Sequence, residues 1–210
     1  MNAQEFWNSF RQAVMTEGEN RTRLMNDWTT SRAFTATMTE IVTNIIKENY
    51  PKNEIAVQPE YLRIDIPAWR KNKGNNDTAR CVKEETAFQI YDWNLEIAVE
   101  HENDYRLWMD EVVKLAHISC PLRVVIGSVR AEKDSRQISR GKTGKKQQAI
   151  LDAVTDVLLQ DVRAWQNMPE GNEFLIILGD ANVRENDRCH YTPYLYRHAK
   201  KRFLPLDDGK

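Results

Sequence analysis

The segment 122–129, Leu-Arg-Val-Val-Ile-Gly-Ser-Val, is almost continuously apolar and restricts the possible folds more than any other part of the chain. Runs of this length and composition are typical of strands buried inside a sheet. It follows a strand-like segment at 93–101 and a segment with helical periodicity at about 104–117. A strand, a helix and a buried strand in succession predict a parallel crossover, which is right-handed in nearly all proteins. The sequence therefore predicts an α/β fold with a mixed central sheet flanked by helices.

Periodicity predicts further elements on both sides of this unit. Apolar residues at helical spacing indicate helices at 3–16, 32–50 and 146–165, and Pro51 ends the second of them. Shorter alternating or apolar runs predict strands at 54–57, 61–67, 174–179 and 191–196. No linker-like stretch divides the 210 residues. We therefore expect one domain, with an N-terminal helical extension at about 1–30, a core at about 31–180, and a C-terminal strand and basic tail at about 181–210.

Composition narrows the environment in which the protein works. No run of about 18 apolar residues occurs, and the first ten residues are polar and amphipathic, unlike a secretion signal. Cys81, Cys120 and Cys189 are widely spaced and lack the intervals of a zinc site, so reduced and mostly buried thiols are expected. These features predict a cytoplasmic protein with no membrane partner.

The net charge of −1 gives no global attraction to nucleic acid, so such binding would need a local cluster of charge. Segment 130–146 has seven basic residues against two acidic ones. Lys and Arg are sufficient to contact backbone phosphates. The predicted DNA contacts are Arg136, Arg140, Lys142, Lys145 and Lys146. The alternative is a solvated surface loop.

An acidic constellation lies on two of the predicted strands. Because side chains alternate along a strand, Glu96, Glu100 and Glu102 are predicted to share one face, opposite a core face that includes His101. Asp65 is a polar alternate of the earlier strand and can approach Glu100 if the two strands are neighbours. Paired carboxylates are ligands that Mg²⁺ prefers. The alternative is an exposed strand face that forms salt bridges with Lys or Arg.

The order of these elements over about 32–129 resembles the αβββαβ core of the PD-(D/E)xK, or restriction-endonuclease-like, nuclease superfamily: a helix, a strand hairpin with Arg-x-Asp, a strand with Glu-x-Glu, a helix and a buried strand. The resemblance implies that Asp65 and Glu100 bind a metal ion together with the backbone carbonyl of His101. Glu102 stands where the family has Lys. Some restriction endonucleases carry Glu there, where it helps to bind a second metal. In other members the Lys has migrated, and Lys114 on the next helix, one turn after Glu111, is the candidate substitute.

The resemblance implies a Mg²⁺-dependent DNA endonuclease of the restriction type, for which Mn²⁺ is a possible replacement. The expected catalytic residues are Asp65, Glu100, Glu102 and Lys114. The expected metal ligands are Asp65, Glu100, Glu102 and His101, although the side chain of His101 is better explained as a structural core residue. Cleavage of both DNA strands needs two sites, so a homodimer is expected. The alternative is a catalytically inactive nuclease-like binding or regulatory protein of phage or bacterial origin, because the usual Lys is absent.

Overall fold

The computed structural model describes residues 1–27, 30–71, 93–104, 106–129, 140–180 and 189–206; for 140–146, 161, 164 and 180 it describes the backbone alone. A seven-stranded sheet runs through these ranges in the order β1 to β7. The strands are β1 (Ile55–Val57), β2 (Ile66–Lys71), β3 (Trp93–His101), β4 (Leu122–Val129), β5 (Glu173–Asp180), β6 (Tyr191–Arg197) and β7 (Arg202–Pro205). The helices are α1 (Ala3–Phe10), extended by a π-helical turn (Arg11–Met15), α2 (Glu19–Asp27), α3 (Ser31–Glu48), α4 (Trp108–Ala116), α5 (Arg140–Asp161) and α6 (Arg163–Gln166).

The sheet is mixed. Strands β3, β4 and β5 are parallel, and the strand pairs on either side of them are antiparallel. Helix α4 connects β3 to β4, and α5 and α6 lie between β4 and β5 in the chain. The predicted α/β class and the parallel relation of the strands at 93–101 and 122–129 are confirmed.

Helices cover both faces of the sheet. On one face, α1 and α3 pack apolar side chains such as Phe6 and Met38 against Ile97 and Val99 of β3. On the other face, α4 and α5 pack side chains such as Val112 against Ala98 of the same strand. Strand β3 therefore has two core faces, where the sequence predicted one. Helix α4 contacts β3 on this face, and both Ala98 and Glu100 are completely buried.

A β-bulge interrupts the alternation of side chains along β3. Ala68 pairs with Ile97 but Trp69 pairs with Leu95, so Glu96 is the extra residue. Glu96 contacts Arg70 at 3.4 Å and accepts a hydrogen bond from Tyr50 of the α3 side, whereas Glu100 contacts α4. The prediction that Glu96 shares a face with Glu100 is wrong, because Glu96 is the extra residue of the bulge and the regular alternation of side chains fails there.

Helix α1 packs against strands β5 and β6. The backbone N–H of Ala3 donates to Glu173 Oε2 at 2.7 Å, and the ring of Phe10 packs edge-on against Tyr191 with centroids 5.3 Å apart. Helix α2 lies within the helical extension predicted at about 1–30 but was not predicted as a separate helix, and strand β7 was not predicted. Cys120 and Cys189 are buried free thiols, as expected, and Cys81 lies outside the described residues. No helix within the described ranges is long and apolar enough to cross a membrane.

Candidate active site

A tight turn precedes Asp65 where the sequence predicted a strand. The backbone N–H of Ile64 donates to the carbonyl of Tyr61 at 3.1 Å, and the two central residues, Leu62 and Arg63, have φ of 55° and 60°. Positive φ at both central positions defines a type I′ turn, which side chains other than Gly, Asn and Asp occupy at a cost. The predicted strand at 61–67 is therefore wrong for residues 61–65, and β2 begins at Ile66.

This turn delivers the Asp65 side chain to the carboxyl end of β3. Ile66 pairs with Val99 as the last pair of the antiparallel ladder, and Asp65 immediately precedes Ile66 in the chain. The Asp65 carboxylate accepts a hydrogen bond from the backbone N–H of His101, with a distance of 2.9 Å from that nitrogen to Oδ2. Strands β2 and β3 are neighbours, and the Asp65 carboxylate contacts the backbone of the residue after Glu100; its approach to the Glu100 carboxylate stays a prediction.

Glu100 is a completely buried acid on β3, with a side chain that is 0% exposed. Its Oε2 lies 2.9 Å from Lys114 Nζ as an ion pair, and neither carboxylate oxygen has a hydrogen-bond partner of good geometry. Burial raises the pKa of Glu100 to about 8; the nearby Lys114 opposes this rise, and the charges of Asp65 and Glu111 add to it. A carboxylate this buried favours its charged form only when positive charge is close.

Lys114 reaches Glu100 from α4. Its ammonium is also 2.5 Å from Oε2 of Glu111, one turn earlier on the helix, and the Lys114 side chain is 36% exposed. Burial lowers the pKa of Lys114, but contacts with Glu111 and Glu100 outweigh burial, so the pKa is raised and the ammonium stays charged. The three charged groups Glu100, Lys114 and Glu111 thus form one continuous cluster that links the sheet to the solvent.

Helix α4 holds this cluster through close packing on the sheet. Trp108, Val112 and Leu115 form its buried stripe. Trp108 lies so close to Gly127 of β4 that a Cβ atom at position 127 would be 2.8 Å from the Cβ of the tryptophan. This close approach fixes the rotation of α4 and directs Lys114 toward Glu100.

The His101 side chain points away from Glu100, toward α3. Its ring lies 5.7 Å from that of Phe34 and the residue is 8% exposed. Burial lowers the pKa of His101 to about 4, and the charge of Asp65 opposes this shift. Its Nδ1 has no hydrogen-bond partner. The side chain occupies a core position, as the sequence favoured.

Glu102 is not brought to the Asp65–Glu100 pair. Its Oε1 accepts a hydrogen bond from the backbone N–H of Asp104 at 2.7 Å, which closes a local turn after β3. Within the described residues, no group of three or more His, Cys, Asp or Glu side chains is placed to hold one metal ion. The Asp65 carboxylate lies at the backbone of His101, the residue after Glu100, and the assignment of Asp65 and Glu100 as metal ligands stays a prediction.

The predicted DNA-binding segment falls largely outside the described side chains. Arg136 lies outside the described residues, and α5 begins at Arg140, earlier than the helix that the sequence predicted at 146–165. The backbone of Arg140, Lys142, Lys145 and Lys146 lies in the first turns of this helix. The first described side chains of α5, Gln147 and Gln148, donate to the carbonyls of Leu178 in β5 and Phe203 in β7. These strands lie two and four places from β3 in the sheet.

Sequence reasoning assigned no role to Glu111, although the available signal was its spacing of three residues from Lys114 on a helix. The structure places it against the same ammonium that contacts Glu100. A scan against models of protein families and a search of curated proteins found no match for this chain.

Proposed function

We propose that this chain is a divalent-metal-dependent endonuclease that hydrolyses phosphodiester bonds in DNA, of the restriction type. The observation that supports the proposal is the convergence of Asp65, Glu100 and Lys114 from three separate elements. Lys114 Nζ is 2.9 Å from Glu100 Oε2, and Asp65 binds the backbone N–H of the residue after Glu100. Two acids and one Lys are the residue types that the resembled superfamily uses.

The residues fit a hard divalent ion. Glu100 Oε1 is buried and has no hydrogen-bond partner, and the second carboxylate, of Asp65, lies one strand away. Mg²⁺ keeps several waters and is held by one or two carboxylates plus substrate phosphate oxygens, so a third acidic side chain is not required. Asp65 and Glu100 would hold the ion, which when bound supplies activation of water and stabilises charge that develops on the phosphate.

Lys114 takes the place of the usual family Lys in this proposal. Its side chain is 36% exposed, so the ammonium lies between the buried carboxylate and the solvent from which substrate arrives. A charged ammonium there can orient a water molecule and a phosphate oxygen by donating hydrogen bonds. Glu102 has no part in this arrangement, because its carboxylate is engaged with the Asp104 backbone.

A nuclease-like binding protein without catalysis is the second candidate. Lys114 already contacts Glu100, and a carboxyl group with this partner can persist without a metal ion. Both candidates would use the basic residues at the start of α5 to bind phosphates.

Cleavage assays with matched variants separate the two candidates. Double-stranded DNA and RNA are incubated with the parent chain in Mg²⁺, Mn²⁺ or EDTA, beside Glu100→Gln, Lys114→Met and Glu102→Gln. We expect metal-dependent cleavage of DNA, a loss of about 100-fold or more in Glu100→Gln and Lys114→Met, and near-parental rates in Glu102→Gln. If Glu102→Gln loses cleavage and Lys114→Met retains it, Glu102 and not Lys114 has the role of the family's Lys. No cleavage by a folded parent chain that binds DNA would favour the binding protein.

A further inference from the structure

Glu111 contacts Lys114 but has no role in the proposed nuclease site. Lys114 Nζ lies between two carboxylates, 2.9 Å from Oε2 of Glu100 and 2.5 Å from Oε2 of Glu111. Glu100 is completely buried, whereas Glu111 is 22% exposed and lies on the same helix as Lys114. The ammonium therefore has an inner partner on the sheet and an outer partner on its own helix.

The inner partner is the carboxylate that would bind a metal ion. A divalent cation on Asp65 and Glu100 and a Lys ammonium on Glu100 are like charges within a few ångströms, and they repel each other. The bound ion therefore weakens the attraction of Glu100 for the ammonium. Without another partner, a half-buried ammonium would weaken binding of the ion through repulsion. If the ammonium moved into bulk solvent instead, it would be lost from the site.

We infer that Glu111 is a positioning residue that retains the Lys114 ammonium at the site when Glu100 takes a divalent cation. The inference rests on the proposed metal-dependent function. Glu111 already contacts the ammonium, so the exchange requires only rotations within the flexible Lys114 side chain and no movement of α4. The ammonium stays charged and beside the bound ion, where it can contact water and phosphate.

The competing explanation is an ordinary helix-surface pair at spacing i, i+3, which contributes little. In that case Glu111 acts on a bound ion through its charge alone, and its effect does not depend on Lys114. In the proposed role, the effect of Glu111 does depend on Lys114, because Glu111 acts by binding the ammonium. Dependence on Lys114 therefore distinguishes the two explanations.

A double-mutant cycle on the full chain measures this dependence. Binding of Ca²⁺, which can occupy oxygen ligands without cleavage, is followed by calorimetry for the parent, Glu111→Gln, Lys114→Met and the double variant. Asp110→Asn is the matched control, because Asp110 is an exposed acid beside Glu111 in the first turn of α4. We expect Glu111→Gln to weaken Ca²⁺ binding about fivefold or more with Lys114 present and less than twofold with Met at 114, and Asp110→Asn to have little effect.

Lys114→Met alone should bind Ca²⁺ at least as tightly as the parent, because it removes the competing ammonium. Glu111→Asp, which keeps an acceptor, should lie between the parent and Glu111→Gln. Equal weakening by Glu111→Gln in both backgrounds, or equal weakening by Asp110→Asn, would overturn the role of Glu111 and leave the nuclease proposal intact. If the folded parent binds neither Ca²⁺ nor Mn²⁺, the proposed function fails and the inference fails with it.

Discussion

Glu100 should make the protein less stable as the pH rises, and Glu100→Gln should remove this dependence. Burial raises the pKa of Glu100 from its usual value of 4.5 to about 8. The folded chain therefore binds this proton more tightly than the unfolded chain does. The stabilisation is complete below the unfolded pKa and is lost as the pH rises through the folded pKa.

The useful window is pH 6.5 to 9. His101, with a pKa lowered to about 4 by burial, removes stability only as the pH falls below its usual 6.5, so it does not contribute above that pH. From pH 6.5 to the Glu100 pKa of about 8 is 1.5 pH units. At about 1.36 kcal/mol for each unit, the parent should lose about 2 kcal/mol of unfolding free energy across this window.

Urea unfolding in EDTA at pH 6.5 and at pH 9 measures the change. Between these two pH values, the unfolding free energy of the parent should fall by about 2 kcal/mol more than that of Glu100→Gln, because the amide carries no charge to bury. Adding Mg²⁺ at pH 9 should restore stability to the parent alone, since a ligand that binds only the folded chain stabilises it. An equal pH dependence in parent and variant would refute the assignment of a desolvated, titrating carboxylate at this position.

Three further tests address Asp65, the basic residues at the start of α5 and the packing of α4 on β4. Asp65→Asn should abolish the rise in melting temperature that Mg²⁺ or Mn²⁺ gives the parent, and an identical rise in both would remove Asp65 from the site. Four basic residues at the start of α5 are replaced by Gln: Arg140, Lys142, Lys145 and Lys146. The salt dependence of DNA affinity, measured by filter binding, should become weaker. An unchanged slope would mean that these residues contact no phosphates. Gly127→Ala should cost about 1–3 kcal/mol in urea unfolding because its Cβ would collide with Trp108. Gly171→Ala, with nothing within 4 Å of the added carbon, is its control and should be tolerated.

The sequence by itself determined most of the elements and one half of the candidate site. Continuous apolar character located β4 to the residue, and helical periodicity located α3 to within two residues at each end. These patterns survive in the fold because each element must bury its apolar residues wherever it packs. The alternation of apolar residues identified β2 and β3, which are neighbours in the sheet, but Asp65 reaches the end of β3 from a turn and not from a strand.

Tertiary structure decided the rest. The bulge that separates Glu96 from Glu100 is one extra residue in a ladder, and its place depends on how β2 pairs with β3. The positive φ of Leu62 and Arg63 is unusual for these residue types, so local propensity argued for a strand.

The choice between Glu102 and Lys114 as the partner of Glu100 also belongs to the tertiary structure. Glu102 has the closer position in the sequence, but the chain leaves the sheet after His101 and its carboxylate turns to the Asp104 amide. Lys114 is 14 positions away from Glu100 in the chain. Lys114 reaches Glu100 because Trp108 packs against Gly127 in β4, which sets the rotation of α4. A pattern along one strand or one helix cannot predict this contact, because it joins two distant segments.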